Sequence, residues 1–430
     1  MKSQGPAASQ FFWRNKRITF GRARDIWQKL QQRGLLWLWR RLGQELRVPE
    51  TVEGIYIRAL AVRVYGLLVF LMSPLLFLAG QLFSGRAKTL YFFYDLDVSP
   101  ITYDMADYLV LAELERRRRG LHWVYVYVVP GRSQGLREEN ADYEKIVDKS
   151  NRVWRLNNIV IPLFALLPTC AGYAICRNRR QATLLRLLAG RNVYPPTYWA
   201  VFPVALFRRP LLEAARQGVE VFPVFKAPEQ GVKYVQRWLG ARVGSRKAIT
   251  ITLREYGADP LRNSNIRAWA VFAHSLNPED FVPIFVLDTE TAMDPVPDAI
   301  QEFLVFPEAS WNLALRSALY ELAYVNLAVV HGPTALVWYN HRCRYILFFP
   351  REDSSQTGMH YMKANGFIHG EPLPFAAPFQ KWVWEPDEAD VIKREFDQMC
   401  AAIEGTLPRP EEADRLERWP APTGAIKDLP

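Results

Sequence analysis

Hydrophobic positions along this chain recur with two periods, and the switches between them outline most of its elements. The clearest pattern runs from Lys247 to Asp288. Residues 248–253 crowd β-branched and apolar side chains together and close on Arg254 and Glu255, which predicts a strand. Gly257, Asp259 and Pro260 then mark a loop. Asn263, Ser264 and Asn265 are candidate N-caps for a helix carrying Ile266, Trp269, Ala270, Phe272 and Ala273 at helical spacing. Residues 281–287 predict a second strand, with Asp288 at its carboxyl end.

Similar alternation fills the rest of the body. Strand 89–94 ends in Asp95-Leu96-Asp97, a helix runs to about residue 119, and strand 122–129 follows. The apolar stretch 158–176 is interrupted by Pro162 and Pro168 and predicts buried strands and turns. Helix 181–188, strand 198–204, helix 211–217 and strand 219–225 complete a first series. The charged, glycine-containing stretch 226–246 predicts an interdomain linker. A second series adds strand 303–306, helix 312–323, strand 326–330, the loop His331 to Ala335, strand 345–349, a loop over 351–378 and a closing helix 388–403. The expected fold class is α/β, with two Rossmann-like domains facing a cleft and a helical amino-terminal extension. In domain terms this is a basic arm 1–63, a membrane-embedded helix 64–85, a first Rossmann-like domain 89–225, the linker 226–246, a second Rossmann-like domain 247–385, and a closing helix and tail 386–430.

Charge changes the picture at the amino end. Residues 1–63 hold 13 Lys or Arg against 4 Asp or Glu, so most of the formal net charge of +10 sits there and the body is nearly neutral. Segment 20–47 predicts a basic amphipathic helix with Trp27 and Trp37, suited to an anionic membrane surface. Residues 64–85 carry no charge and are just long enough to cross a bilayer, but Ser73-Pro74 breaks the run in its middle. Span and re-entrant dip both remain open at this point. The expected location is a membrane surface with the body on the cytoplasmic face, and nucleic acid is not an expected partner. Cys170, Cys176, Cys343 and Cys400 form no CxxC pair, so buried single thiols are expected.

Candidate chemistry gathers at three loops of the second series. Arg254 and Arg262, with Asn263 and Ser264 at a helix start, suit an anionic group such as a diphosphate. Glu308 stands in the second loop. In the third, His331, Gly332, Pro333, Thr334 and Ala335 combine close backbone approach with a helix start. Asp97 or Asp95 is the candidate general base. The chain has no HExxH and no GxxxxGK[ST], and its six His are scattered, so no protease, P-loop or metal cluster is expected.

Arg254 on a strand end, RNSNIRAW opening the next helix, and His331-Gly332-Pro333-Thr334 together resemble the donor half of GT-B glycosyltransferases, bacterial ones with an R…RNS loop and, more distantly, fucosyltransferases. The resemblance covers roughly residues 247–385. It implies a UDP- or GDP-sugar as co-substrate, no permanently bound cofactor or metal, and a glycan or lipid-linked acceptor. Unlike fucosyltransferases, the strand-end arginine is not followed by Arg and Asp, which leaves the donor open. A nucleotide-sugar epimerase of the same fold, or an inactive membrane scaffold for polysaccharide assembly, are the alternatives.

Overall fold

A computed structural model describes residues 23–405, apart from 48, 50, 87, 140, 258–259, 350–361 and 364. The start of the basic arm, Asp259, the first part of the 351–378 loop and the tail after residue 405 lie outside the described residues. The chain forms two compact units. Unit 1 takes in the chain up to Pro100, then Leu111–Asn140 and Cys170–Pro210. Unit 2 takes in Ile101–Val110, Ala141–Thr169 and the chain from Leu211 onward. Both are mixed α/β, and every strand pairing in both sheets is parallel.

The sheet of unit 1 contains β1 (Thr89–Asp95), β2 (Trp123–Val129), β3 (Cys170–Ile175) and β4 (Val193–Tyr194), in the order β3-β2-β1-β4. Val124, Val126 and Val128 on β2 are fully buried while Trp123, Tyr125 and Tyr127 are half-buried, so the period of two shows directly in the packing. The four-arginine run after Glu115 is ion-paired: Glu113 holds Arg116 and Arg117, and Glu115 holds Arg118 and Arg119. One expectation fails. Residues 198–204 form turns around a single Trp199–Phe202 bridge, and the strand here is the two-residue β4.

The sheet of unit 2 contains β5 (Lys247–Thr252), β6 (Phe281–Val286), β7 (Leu304–Val305), β8 (Val325–Val329), β9 (Tyr345–Phe348) and β10 (Gln380–Val383), in the order β10-β9-β8-β5-β6-β7. The chain winds from β5 out to β7, returns to the other side of β5 at β8, and winds out to β10. This is the doubly wound order, with its switch point between β5 and β8. Helices cover both faces. Ile266–His274 and Ala389–Ile403 pack on one through Trp269, Phe272, Ile392 and Phe396, and Glu229–Arg242 and Leu313–Leu322 pack on the other through Val235, Ala318 and Leu319. The central strand β5 is therefore buried on both sides. Its two polar side chains are matched, Thr250 donating to Asn326 Oδ1 at 2.5 Å and Thr252 bonding Tyr320 Oη at 2.9 Å.

Three further readings are corrected in unit 2. The supposed linker is a packed helix, Glu229–Arg242, and Gly231 is what lets it approach its neighbour: a Cβ there would lie 2.9 Å from the Ala314 carbonyl oxygen. Residues 219–225 enter no sheet. Of the stretch 158–176, residues up to 166 are helical, continuing from Lys149 through a π-helical turn at Leu156–Val160 just before Pro162, and Cys170–Ile175 is the strand β3.

Candidate functional site

The crevice of a doubly wound sheet lies beyond the carboxyl ends of its strands at the switch point. Two residues past β5 stands Arg254, and two residues past the adjacent β8 stands His331. Side chains from the loops between them build the rest.

The loop after β5 is clamped on itself. Ser264 Oγ accepts from the Arg254 amide at 2.9 Å, and the Ser264 amide returns a bond to the Arg254 carbonyl at 2.9 Å. Asn263 Oδ1 accepts from the Tyr256 amide at 2.9 Å and from Arg254 Nη1 at 2.5 Å. Of the three candidate N-caps, Asn265 performs the capping, accepting from the Ala268 amide at 3.3 Å, while Asn263 and Ser264 shape the loop. Asp387 anchors the helix start by accepting from the Asn265 amide at 2.8 Å and from Trp269 Nε1 at 2.7 Å. Arg254 is buried, with its guanidinium 5.4 Å from the centre of the Tyr256 ring; Arg155 lies 5.8 Å from the same ring. Arg262 Nη2 donates to the Val330 carbonyl at 3.3 Å, tying this loop to the end of β8.

The loop after β8 departs from the expectation in detail. Gly332, Pro333 and Thr334 form one tight turn, and Ala335 starts the short helix Ala335–Trp338. The close approach at Gly332 is made by a side chain of this unit: a Cβ there would lie 2.7 Å from Tyr103 Cδ2. The Thr334 hydroxyl donates to the His331 carbonyl at 2.6 Å, which turns it inward. Glu308 opens the short helix Glu308–Trp311 and is exposed. Ser310 Oγ, two residues on, donates to the Leu287 carbonyl at 2.8 Å.

His331 is buried, with Nδ1 2.6 Å from the Val329 carbonyl oxygen and no partner at Nε2. Burial, with the charges of Arg316, Arg254 and Arg262 adding to it, lowers its pKa to about 3. The ring is therefore neutral at physiological pH. Since Nδ1 faces an acceptor it carries the proton, and Nε2 is left as an acceptor for a hydroxyl or N–H, not a donor to phosphate.

Arg316 and Tyr103 join the site without a sequence signal for it. Arg316 is 1% exposed, donates through Nε to the Ala309 carbonyl at 2.5 Å, and has no partner at Nη2. A buried donor left open in this way costs about 1–3 kcal/mol or more for a charged group, and an anion would recover that cost. Burial pushes the Tyr103 phenol up to about 12, with the Arg316 charge opposing, so it remains a neutral hydroxyl. Asp288 accepts from the Glu255 and Glu290 amides, each at 3.2 Å, and Glu290 pairs with Arg155 at 3.3 Å. Burial raises the Glu290 carboxyl and Arg155 opposes it.

The acidic candidates lie in unit 1. Asp95 closes β1 and is 1% exposed; Arg179 grips both its oxygens at 2.7 and 2.8 Å, Tyr198 Oη donates at 2.9 Å and the Asp97 amide at 3.0 Å. Burial raises the Asp95 pKa, with Arg179 opposing. Asp97 accepts from the Arg132 amide at 2.9 Å, and its other oxygen lies 3.2 Å from Arg132 Nη1 with no hydrogen-bond partner. Of the two, Asp97 has one oxygen held only by an ion pair, whereas both oxygens of Asp95 accept hydrogen bonds. Gly131, Ser133 and Gly135 match the G-x-S-x-G spacing of a hydrolase nucleophile elbow, but they form a tight antiparallel turn and not a strand-to-helix corner. Among the described residues, no three His, Cys, Asp or Glu are grouped to hold a metal ion.

The His331 environment predicts a pH dependence of stability. Its folded pKa lies below the ordinary 6.5, so the unfolded chain binds the proton more readily. The resulting stability is present above pH 6.5 and is lost as pH falls toward about 3. Thermal melts across that range should show a smaller loss in His331→Gln than in the parent chain; identical slopes would contradict the neutral, buried ring.

No known family's sequence model matches the chain, and no curated protein matches it in sequence. Among solved structures it is similar to a glycosyl transferase family 9 protein from Veillonella parvula, at 10% identity over 72% of this chain and 89% of that one, with a TM-score of 0.39. It is also similar to E. coli ADP-heptose lps heptosyltransferase II, at 9% identity over 74% and 100% of the two chains, with a TM-score of 0.43. A third is the wall teichoic acid polymerase TagF, at 10% identity over 73% and 83%, with a TM-score of 0.27.

Proposed function

We propose that the chain is a glycosyltransferase that moves a sugar from a UDP- or GDP-sugar to an envelope glycan or lipid-linked acceptor, at the cytoplasmic face of the bacterial inner membrane. The observation that carries this reading is the set of guanidinium groups, Arg254, Arg262 and Arg316, whose charges bear on one buried neutral histidine at the switch point of a doubly wound sheet. In the reaction the bond from the sugar's anomeric carbon to the diphosphate breaks, and the acceptor hydroxyl oxygen takes its place as its proton leaves. Negative charge grows on the departing diphosphate, and guanidinium groups fixed in a poorly hydrated crevice stabilise it there. His331 Nε2 suits a ribose or sugar hydroxyl. The donor is taken without a resident cofactor or metal in this reading.

Purified full-length chain titrated with UDP and with GDP tests it. One of the two should raise the melting temperature saturably, by the equivalent of about 2.7 kcal/mol at a hundredfold excess over Kd. Radiolabelled sugar should then move from the matching donor into membrane extract. Failure of both diphosphates to bind would favour a scaffold, and conversion of the donor without any acceptor would favour an epimerase.

A further inference from the structure

The amino-terminal part of unit 1 contains a helix-break-helix: Val52–Met72, an interruption at Ser73, and Pro74–Arg86. One side of this pair is docked on its own unit. Arg58 is buried and donates to the Leu46 and Phe202 carbonyls. Tyr65 meets Trp199 and Phe202 edge-on, with ring centres 5.2 and 5.8 Å apart, and Gly66 lies over the Trp199 ring. Gly80 packs directly on the backbone of Leu187, with no room for a Cβ. The opposite side is bare and apolar: Leu60, Leu67, Leu71, Leu75, Leu78 and Leu82 are each between 52% and 80% exposed. With exposed Val64 between the first two, they recur every three or four residues on either side of the break at Ser73.

These contacts decide the topology. Crossing a bilayer takes about 30 Å of hydrocarbon, or roughly 20 helical residues free of the water-soluble body. The longest stretch between successive body contacts is the 13 residues from Gly66 to Gly80, which rise only about 20 Å as a helix. We infer that this helix pair does not span: it lies in one leaflet of an anionic phospholipid bilayer, with the leucine stripe in the acyl region and the rest of unit 1 against the headgroups. Charge complementarity favours lipid as the occupant. The charge-free run is bracketed by Arg63 and Arg86 in sequence, with Arg63 exposed, and the preceding helical segment Ala23–Arg47, kinked at Gly34, exposes Arg33 before the kink and Leu36, Trp39 and Arg40 after it. Both ends of the chain then face the same side. This holds whether or not the chain transfers sugar.

The test uses the full chain and vesicles of phosphatidylglycerol and phosphatidylethanolamine. The parent protein should float with them, and Leu67→Glu combined with Leu71→Glu should lower the bound fraction by more than about tenfold, because a carboxylate is costly in hydrocarbon. Circular dichroism keeps misfolding apart from lost binding. Undiminished flotation of the folded variant would overturn the proposal, as would a lipid-free parent dimer that the two glutamates split into monomers. In sealed inverted inner-membrane vesicles, protease should remove tags at both ends together; protection of one tag alone would establish a span and end the one-leaflet assignment.

Discussion

Arg254→Ala should lower affinity for the donor diphosphate by roughly 30-fold or more, the loss expected when one member of a buried charge pair is truncated. The fold should survive. Asn263 Oδ1 keeps its bond from the Tyr256 amide, and the Ser264 clamp engages the Arg254 backbone, which alanine retains. Arg254→Lys should restore only part of the affinity, since an ammonium cannot offer two parallel bonds to phosphate oxygens. Arg316→Met should act in the same direction, for it removes a buried guanidinium whose Nη2 has no hydrogen-bond partner while filling most of the volume. Calorimetric titration with UDP and GDP reads all three. Unchanged affinity in Arg254→Ala would remove the diphosphate site, and with it the proposed donor chemistry.

Arg179→Ala should destabilise the chain by about 3–5 kcal/mol, a drop of roughly 6–20 °C in melting temperature for a unit of this size. The reason is the carboxylate it leaves behind. Asp95 is 1% exposed, and Arg179 supplies the counter-charge to both its oxygens. Without that charge only the Tyr198 hydroxyl and the Asp97 amide oppose burial, and the Asp95 pKa moves further above 3.8. A carboxyl whose folded pKa exceeds its unfolded value stabilises the fold below the unfolded value, and that contribution is lost as pH rises through the folded one. The deficit of the variant should therefore be smaller near pH 4 than near pH 7.5. Melts at the two pH values check this; an equal deficit at both would mean that Arg179 contributes packing and not charge.

How much of this was legible depends on what each signal reports. The β5–helix–β6 unit reads directly because period, turn residues and caps agree along one stretch, and the structure places Arg254 where that stretch puts it. Glu229–Arg242 was misread because Gly231 and Gly240 looked like linker residues, whereas at Gly231 the glycine serves a close helix contact known only from the partner. Residues 380–383 hide as a strand because Gln380 and Lys381 look solvated; Gln380 is buried, bonding the Asn340 and Cys343 carbonyls at 3.0 Å each. Arg316 was invisible for a similar reason. A charged residue on a helix reads as its wet face, and only tertiary placement shows it buried with its charge acting on the β8 loop's histidine. Asp95 and Asp97 look alike in sequence, yet both oxygens of Asp95 accept hydrogen bonds while one oxygen of Asp97 has only its ion pair with Arg132.

Unit 2 is assembled from three separated pieces of chain, and that has a practical consequence for anyone dissecting the gene. Tyr103, which fills the space over Gly332, and Asp107, which accepts from the Tyr339 hydroxyl at 2.5 Å, come from the first piece; Arg155 comes from the second. A fragment cut to begin at residue 211 keeps all six strands of the sheet yet loses these three side chains. It would expose the glycine turn and leave Glu290 without its arginine partner. The half that reads as a contiguous cassette is therefore not one, and swapping it whole between related genes would carry the arginine-bearing strand ends without the wall that closes over them.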